Sequence, residues 1–297
     1  MSPPRRRAPR VGLPPGTAAL LRRALEEDRW TRDVTTRAIL PHRLPGRAQV
    51  IAQGSGVLSG LEAARALAVI AGLRSASSLS DGAAVRSGTV VLELSGDLRR
   101  ILAVERTMLN FLMHLSGVAT MTAAVGEKAR RARPGFRIRA TRKTLPGLRD
   151  LEKAAVVHGG GESHRRDLSD AVLIKSTHLA LVPLEEAVRR ARARAPGDLQ
   201  VEVRSLAQAR TAVAAGARRL LIDNQSPATV ARIVRGVRRA RGGRTIEVEV
   251  SGGIGPETIA AYARTGADAA SLGRLTHSAP AIPFHLTFGP RRRSSPR

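Results

Sequence analysis

The chain has 297 residues, of which 42% are hydrophobic and 2% aromatic, and its formal net charge is +26 at pH 7. This length is enough to bury a sizeable core, as one large α/β domain or as a barrel with a smaller companion domain. Cysteine is absent, which excludes disulfides, a thiol nucleophile and cysteine-ligated metal sites. The absence of cysteine is compatible with a reducing compartment, and we expect a cytoplasmic protein.

Arginine, proline and serine dominate both ends of the sequence. Four arginines lie within residues 1–12 and four within residues 291–297, so we predict a basic disordered tail at each end. The short apolar run near the N-terminus is interrupted by Pro14, Pro15 and Gly16 and ends at two arginines. We therefore predict no signal peptide, no apolar span of membrane-crossing length and no membrane partner.

The excess of positive charge has two interpretations. A strongly basic chain is typical of nucleic-acid-binding proteins, but single-strand binders interleave cations with stacking aromatic side chains. Here the one Trp, one Tyr and four Phe lie outside the basic clusters. A positive field that attracts small anionic molecules accounts for the charge equally well. We expect no specific nucleic-acid partner, and nucleic-acid binding is kept as a distant alternative.

Residues 13–119 predict a small N-terminal α+β domain, which residues 280–290 are expected to join. A helix (TAALLRRALEED) precedes a polar loop (TRDVTT), and β-like runs (RAQVIAQ, GVLSG, TVVLELSG) surround a second helix, LEAARALAVIAGL. Residues 97–133 are strongly helical, and Gly117 marks a break or a close contact in that run. Taken by itself, Arg106 in this run is interpreted as a surface charge.

From Arg137 onward the pattern alternates between strand and helix, which predicts a parallel sheet with right-handed crossovers. The predicted strands are RIRA, AVLI, LQVEV, RLLI, IEVEV and AASL. Six strands are fewer than the eight of a closed (β/α)8 barrel. The predicted fold class is therefore α/β, with an open (incomplete) parallel β/α barrel over residues 120–279 and the smaller α+β domain before it.

Charged residues cluster at or just after the C-terminal ends of these strands, where barrel enzymes hold their active sites. The positions are Arg142, Lys143, Lys175, Glu202 and Asp223, and His164 and Arg165 lie between the first two strands, in the same short span as both lysines. Only four of the 50 Lys and Arg residues are Lys. Lys128 and Lys153 are interpreted as helix-surface positions, whereas the other two belong to this cluster. Because a compact ammonium and a planar guanidinium are not equivalent at a tight anion site, the two retained lysines favour such a site over chance.

Glycines follow the last two predicted strands. Ser251, Gly252 and Gly253 stand between a strand end and a predicted helix start, where free backbone N–H groups bind phosphate, and Gly273 follows the next strand. Two carboxylates nearby have the oxygen donors that Mg2+ prefers beside substrate phosphates. The Arg/His cluster would hold a carboxylated second substrate. This is the equipment of a phosphoribosyltransferase that acts on an aromatic acid.

Several motifs together resemble the quinolinate phosphoribosyltransferase family (nicotinate-nucleotide pyrophosphorylase, carboxylating). They are ATRKT-PGLR-LEK, GGG-x-x-HR, L-DAVLIK, VEV, D-N, E-x-SGGI and SLGRLTHS, with ALEEDRWTRDVTT and ERTMLNFLMHLSGVAT upstream. The resemblance covers nearly the whole chain apart from the tails. It implies that quinolinate and phosphoribosyl pyrophosphate give nicotinate mononucleotide, pyrophosphate and CO2, with Mg2+, in NAD biosynthesis. It also implies a homodimer or higher even oligomer whose sites are shared between subunits.

The resemblance also implies a role for each matching residue. The implied substrate-binding residues are Arg106, Arg142, Thr144, His164, Arg165, Ser251, Gly252, Gly253 and Gly273. The implied catalytic residues are Lys143, Lys175, Glu202 and Asp223, and the two carboxylates would also hold Mg2+ with the substrate pyrophosphate. Arg106 would reach the site from the partner subunit, and this replaces its interpretation as a surface charge.

Three segments depart from the family pattern. Ser176-Thr177-His178 stands where the family usually has Asp-Asn-His, Gly-Glu-Ser precedes His164 in place of Gly-Val-Asn, and Ala281-Ile282-Pro283 replaces a segment that begins Leu-Asp. A related branch, the ModD-like proteins associated with molybdenum transport genes, shares the RKT and HR motifs. It tends to lack the lysine that stands here at position 175, so it is the second hypothesis. A purely structural barrel is the least favoured.

Overall fold

The computed structural model describes residues 13–14, 16–40, 42–194, 198–240 and 243–288. The basic tails predicted for residues 1–12 and 291–297 lie outside the described residues. The chain divides into two compact units, each with its own set of segments. The first consists of Met1–Met121, Pro146–Gly159 and Ala279–Arg297, and the second of Thr122–Leu145 and Gly160–Ser278.

The first unit packs helices against an antiparallel sheet. Its helices are α1 (Thr17–Glu27), α2 (Val34–Ile39), α3 (Leu61–Ile70), the larger part of α4 (Leu98–Ala132) and α5 (Arg149–His158). Its strands are β1 (Pro45–Ala52), β2 (Gly56–Val57), β3 (Arg74–Ala76), β4 (Ala84–Val85), β5 (Val90–Asp97) and β12 (Phe284–Phe288). The four-stranded sheet has the order β12-β1-β5-β3, and β2 pairs with β4. Leu25, Val50, Leu67, Leu92 and Met108 contribute to one apolar core.

Three features of the first unit differ from the predictions. The predicted loop TRDVTT instead contains a 3-10 helix (Trp30–Arg32) and α2, because the Asp33 carboxylate accepts the Thr36 N–H at 2.9 Å and begins a helix. Helix α5 belongs to the first unit, although the prediction assigned it to the barrel. Lys153 on α5 is only 4% exposed, so its interpretation as a surface position was wrong.

Helix α4 runs unbroken for 35 residues. Gly117 marks a close contact, because a Cβ at this position would lie 2.2 Å from the carbonyl oxygen of Pro280. By length and composition alone this helix is long and apolar enough to cross a membrane, so the prediction that no such span exists was wrong. More than half of its apolar window is buried inside the protein, as expected of a core helix.

The second unit is an open parallel barrel. Its strands are β6 (Arg137–Arg139), β7 (Val172–Ile174), β8 (Leu199–Val203), β9 (Arg219–Asp223), β10 (Glu247–Ser251) and β11 (Ala269–Ser271). They form one six-stranded sheet in the order β6-β11-β10-β9-β8-β7, and every pairing is parallel. Among the described residues β6 and β7 are not paired with each other, so the sheet does not close. The predicted fold class is confirmed.

Helices of this unit follow each strand from β7 to β11, whereas the chain passes through α5 of the first unit between β6 and β7. The helices of this unit are α6 (Ser176–Leu179), α7 (Leu184–Arg194), α8 (Leu206–Ala214), α9 (Pro227–Arg238), α10 (Ile259–Ala263) and α11 (Arg274–His277), with a 3-10 helix at Gly243–Thr245. Ser226 caps α9 by accepting the Thr229 N–H at 3.3 Å, with Pro227 in the first turn. Gly216 and Gly266, which follow α8 and α10, have φ values of 101° and 92°. The predicted helix start and stops are confirmed.

Candidate active site

A cavity of about 270 Å3 lies in the second unit at the C-terminal ends of the parallel strands. Eleven of the thirteen predicted site residues line it. They are Arg142, Lys143, His164, Arg165, Lys175, Glu202, Asp223, Ser251, Gly252, Gly253 and Gly273. The strand-end prediction therefore brings these residues together, and their individual roles stay predictions.

Two guanidinium groups give the cavity its strongest unbalanced charge. Burial and the neighbouring charge of Arg142 together lower the pKa of Arg165. One terminal nitrogen of Arg165 donates to the Ala171 carbonyl at 3.3 Å. The Nε of Arg142 is buried, and no described residue accepts a hydrogen bond from it. Arg142 and Arg165 thus carry like charges, and the Nε–H of Arg142 has no acceptor among the described residues. An anionic ligand would balance both charges and accept that hydrogen bond.

His164 lies between the strands and the cavity, with its side chain 11% exposed. Its Nε2 is 2.9 Å from Oε1 of Gln200 and 3.6 Å from Oε2 of Glu249. Burial lowers the pKa of His164 below its usual 6.5, and the charge of Glu249 opposes this shift only in part. The imidazole is therefore less often charged before an anion binds than a solvated histidine would be.

Lys175 follows β7 directly and is the N-cap residue of the short helix α6. Its backbone N–H donates to Nδ1 of His178 at 2.9 Å, so His178 holds the turn that carries the lysine. The next residue, Ser176, donates its N–H to Oε1 of Glu202 at 3.3 Å. The segment that departs from the family pattern thus makes its contact with the neighbouring carboxylate through the backbone.

The carboxylates Glu202 and Asp223 end the neighbouring strands β8 and β9 and both line the cavity. Ser251 donates its hydroxyl to Oδ1 of Asp223 at 2.8 Å. A guanidinium nitrogen of Arg204 lies 3.9 Å from Glu202 and 3.7 Å from Asp223. Among the described residues no group of three metal-ligating side chains is close enough to hold an ion. The pair therefore fits Mg2+ only when a ligand supplies further oxygens.

At Gly252 both the available space and the backbone conformation require a glycine. Gly252 has φ 88°, and a Cβ there would lie 2.4 Å from Oδ1 of Asn224. A Cβ at Gly273 would lie 2.8 Å from Cδ of Lys143. Helix α10 begins only at Ile259, so the glycines do not lead directly into a helix as predicted. The result is a side-chain-free backbone surface beside a lysine, which suits a phosphate group.

Two predicted site residues do not line this cavity. Thr144 follows Lys143 but is not among the lining residues. Arg106 is exposed on α4 and lines a second cavity of about 610 Å3 that lies within the first unit. The polar lining of that second cavity also includes Arg23, Glu27, Asp28, Asn110 and His114.

Sequence reasoning missed a polar layer below the cavity. Arg139, Gln200 and Glu249 are each at most 6% exposed, and Glu249 lines the cavity. Arg274 and His277 also line it. A signal was available in the strands LQVEV and IEVEV, where polar residues alternate with valines. A strand buried on both faces normally reads as a continuous apolar run, so the polar positions indicate an interior that holds charge.

Fold and cavity together define the class of the protein: an open β/α-barrel enzyme with a binding site for anionic ligands. This class rests on the strand-end position of the cavity and on its lining of cations, carboxylates and glycines.

Comparison with known families narrows the class. The quinolinate phosphoribosyl transferase N-terminal domain family matches residues 33–116, and the corresponding C-terminal domain family matches residues 118–287. Most of the chain is therefore covered, and the chain belongs to the quinolinate phosphoribosyl transferase family. The resemblance inferred from the motifs is confirmed.

Curated relatives and solved structures agree with this assignment. The chain is 39% identical over 270 residues to the probable nicotinate-nucleotide pyrophosphorylase [carboxylating] of Methanothermobacter thermautotrophicus, covering 90% of this chain and 97% of the relative. It is 39% identical over 269 residues to the Mycobacterium leprae nicotinate-nucleotide pyrophosphorylase [carboxylating], covering 87% and 92%. The crystal structure of NadC from Streptococcus pyogenes superimposes with a TM-score of 0.85 at 37% identity, covering 94% of this chain and 100% of that one.

Proposed function

We propose that this protein transfers the phosphoribosyl group of phosphoribosyl pyrophosphate to quinolinate and decarboxylates the product, giving nicotinate mononucleotide, pyrophosphate and CO2. The observation that carries the proposal is the cavity at the strand ends, which gathers eleven residues predicted for this reaction. The carboxylating nicotinate-nucleotide pyrophosphorylases among the relatives support the same reaction and a role in NAD biosynthesis.

Quinolinate would bind at the Arg142, His164 and Arg165 side of the cavity. A dicarboxylate offers two acceptor groups. These match the two guanidinium groups, which repel each other, and the imidazole of His164. Nicotinate has one carboxylate and would leave part of this charge unpaired. A closed site built for a polar group discriminates strongly against analogues that lack the group, so the geometry favours quinolinate.

The phosphoribosyl group would bind on the opposite side, with its phosphate at Ser251, Gly252, Gly253 and Gly273 and its pyrophosphate near the two lysines. Positioning and electrostatics supply most of the catalysis, because positive charge develops at the ribose carbon while the leaving pyrophosphate becomes more negative. Glu202 and Asp223 would face that ribose carbon. After transfer, the carboxylate next to the new bond leaves as CO2 and its bonding electron pair stays on the ring carbon. The adjacent pyridinium nitrogen stabilises that pair until the carbon takes up a proton from water.

Mg2+ belongs to this proposal as the metal that accompanies the pyrophosphate. Glu202 and Asp223 supply two carboxylates on neighbouring strands, and Mg2+ is commonly held by one or two carboxylates together with substrate phosphates. The metal would neutralise charge on the leaving group. The residues Glu202 and Asp223 would hold it by their oxygens, and the positive Arg204 beside them would have to share those oxygens.

We further propose that the protein works as a homodimer or a higher even oligomer with shared sites. The support is Arg106, which the family motifs assign to the site and which lines a cavity of the first unit, apart from the other predicted ligands. In a symmetric dimer each contact occurs twice. Arg106 of each subunit would thus complete the quinolinate site of the other subunit.

The direct test is to incubate purified protein with quinolinate, phosphoribosyl pyrophosphate and Mg2+ and to follow nicotinate mononucleotide. We expect turnover that requires all three, with nicotinate used at least about a hundredfold less well. Lys128→Ala is the matched control for variants of the site lysines, because Lys128 is exposed on α4, donates a hydrogen bond to the Pro256 carbonyl at 3.3 Å and does not line the cavity. Comparable turnover of nicotinate would contradict the proposal and favour the ModD-like branch.

A further inference from the structure

Four side chains from different segments of the second unit form a continuous chain below the cavity. Arg139 donates to Oε2 of Glu249 at 2.7 Å, and the Gln200 amide nitrogen lies 3.2 Å from the same oxygen. The other end of the amide, Oε1 of Gln200, lies 2.9 Å from Nε2 of His164. Gln200 is 2% exposed and Glu249 is 1% exposed, so water does not compete at these contacts.

The chemistry of the groups fixes the direction of each hydrogen bond. Burial lowers the pKa of Arg139, but Glu249 and the other carboxylates around it raise it by more, so the net pKa lies above its usual value and the guanidinium is charged. A carboxylate that accepts from this guanidinium can only accept, and the amide nitrogen of Gln200 must therefore face it. The amide oxygen then faces the imidazole. Because an amide oxygen cannot donate, the proton of this last bond belongs to Nε2 of His164.

We infer that Gln200 is a positioning residue that holds His164 with its proton on Nε2. When His164 becomes charged, the second proton is then taken up at Nδ1. The inference rests on the proposed function for its consequence. With the tautomer fixed, the imidazole presents one defined nitrogen to a bound dicarboxylate in place of two interchangeable ones. A defined donor geometry lowers the ordering cost of binding.

The neutral amide bridges His164 and Glu249, whose Nε2 and Oε2 atoms lie 3.6 Å apart. Around His164, Glu249 favours the charged imidazole, while Arg139 and Arg219 disfavour it, and Gln200 accepts its Nε2 proton without adding charge. The other oxygen of Glu249 is buried without a hydrogen-bond partner among the described atoms. Such an orphaned oxygen costs stability, so Glu249 is better explained by its place in this chain of contacts than by stabilisation of the barrel.

The first experiment is 15N NMR of the histidine side chains in the unliganded protein, with His164→Asn used to assign the signal of His164. We expect a neutral His164 with its proton on Nε2. In Gln200→Met the nearer acceptor is lost at similar volume while Glu249 stays 3.6 Å from Nε2, so the fraction of His164 with its proton on Nε2 should fall. Gln49→Met is the matched control, because Gln49 also donates to a glutamate, Glu93 at 3.0 Å, but on the exposed sheet of the first unit.

The second readout is steady-state kinetics. Gln200→Met should raise KM for quinolinate about tenfold while KM for phosphoribosyl pyrophosphate and kcat change little, because only the imidazole loses its fixed geometry. A proton on Nδ1 in the wild-type protein would overturn the inference without any variant, even if Gln200→Met does not fold. An unchanged tautomer in a folded Gln200→Met would overturn it as well. Both NMR results are independent of turnover, so a protein that does not use quinolinate would refute the proposed function and leave this inference to be decided by the spectra.

Discussion

The two compact units carry similar chemical groups and use them differently. Each has a cavity with charged lining, and each has a partly buried histidine whose pKa is lowered by burial, His158 in the first unit and His164 in the second. In the second unit the histidine lines the cavity, whereas in the first it does not. His158 is instead bonded to Ser59, which is 1% exposed, at 2.8 Å.

Residue type alone does not distinguish the two cavities, whereas their position in the fold does. The larger cavity lies between helices and mixes Glu27 and Asp28 with Arg23 and Arg106. The smaller cavity lies at the ends of parallel strands, where side chains from several strands point to one place. Volume alone would therefore select the cavity that holds only one of the predicted site residues.

The largest effect is expected from removing Lys175, which follows the end of strand β7. Lys175→Ala should lower kcat by on the order of a hundred- to a thousandfold, because a preorganised charge is lost beside the developing pyrophosphate. Lys175 is exposed, so the free energy of unfolding should stay within about 0.5 kcal/mol of wild type. Both quantities are measured on the same preparation, by turnover and by denaturant unfolding.

The control for this prediction is Lys128→Ala, which removes the same charge from the same unit at a position outside the cavity. It should retain wild-type turnover. Near-normal activity of Lys175→Ala would show that the strand ends do not form the catalytic site.

The second prediction sharpens the contrast by asking whether the cavity of the first unit serves the site of another subunit. Arg106→Ala and Lys175→Ala should each be nearly inactive. Unfolded and refolded together, they should form mixed dimers in which one site carries both changes and the other carries neither. Random mixing makes about half of the dimers mixed, so roughly a quarter of the wild-type sites should return.

Subunit exchange must be shown independently for the mixing experiment, for example with two labelled chains. If exchange occurs and the mixture stays as inactive as its components, Arg106 acts within its own chain or has no role in the reaction.

Much of this comparison could be predicted from the sequence, because local signals were strong. Alternating strands and helices predicted the open barrel, and residues at or after strand ends predicted nine of the lining positions. The cation cluster before β7 added His164 and Arg165. The placement of α5 could not be predicted, since its apolar face is compatible with packing in either unit. Lys153 was misread for the same reason: helical periodicity does not reveal which face a neighbouring segment covers.

The buried polar layer was harder still to predict. Gln200 and Glu249 come into contact only because strands β8 and β10 lie on either side of β9. A linear sequence gives the identity of such residues but not their pairing across a sheet. The alternation of polar residues and valines in both strands indicated an interior polar layer, and only the three-dimensional structure shows what it contacts.

The third prediction concerns His164, the histidine that lines the cavity of the second unit. In the free protein the pKa of His164 is below 6.5, and a bound dicarboxylate should raise it, so binding takes up a proton. Quinolinate affinity should therefore be highest at low pH and should fall as pH rises from the free pKa to the bound pKa. For each pH unit that separates the free pKa from the bound pKa, the affinity for quinolinate should change by about tenfold. Calorimetry between about pH 5 and 8 measures this change.

His164→Asn should remove this pH dependence, and His277→Asn, at another lining position, should keep it. An affinity that rises with pH in wild type would contradict the assignment, since it would mean that binding releases a proton.

The smallest expected effect concerns His158 in the first unit. Ser59→Ala removes the hydroxyl that lies 2.8 Å from Nδ1 of His158 and leaves that nitrogen without this partner. An unpaired buried polar group costs about 1–3 kcal/mol, and each kcal/mol lowers Tm by about 2–4 °C in chains somewhat shorter than this one. Turnover and KM for quinolinate should be unchanged, and Ser78→Ala, at an exposed position, should change neither Tm nor turnover. A Ser59→Ala protein with wild-type Tm but impaired turnover would place this histidine with the catalytic groups, and the distinction drawn between the two units would then be wrong.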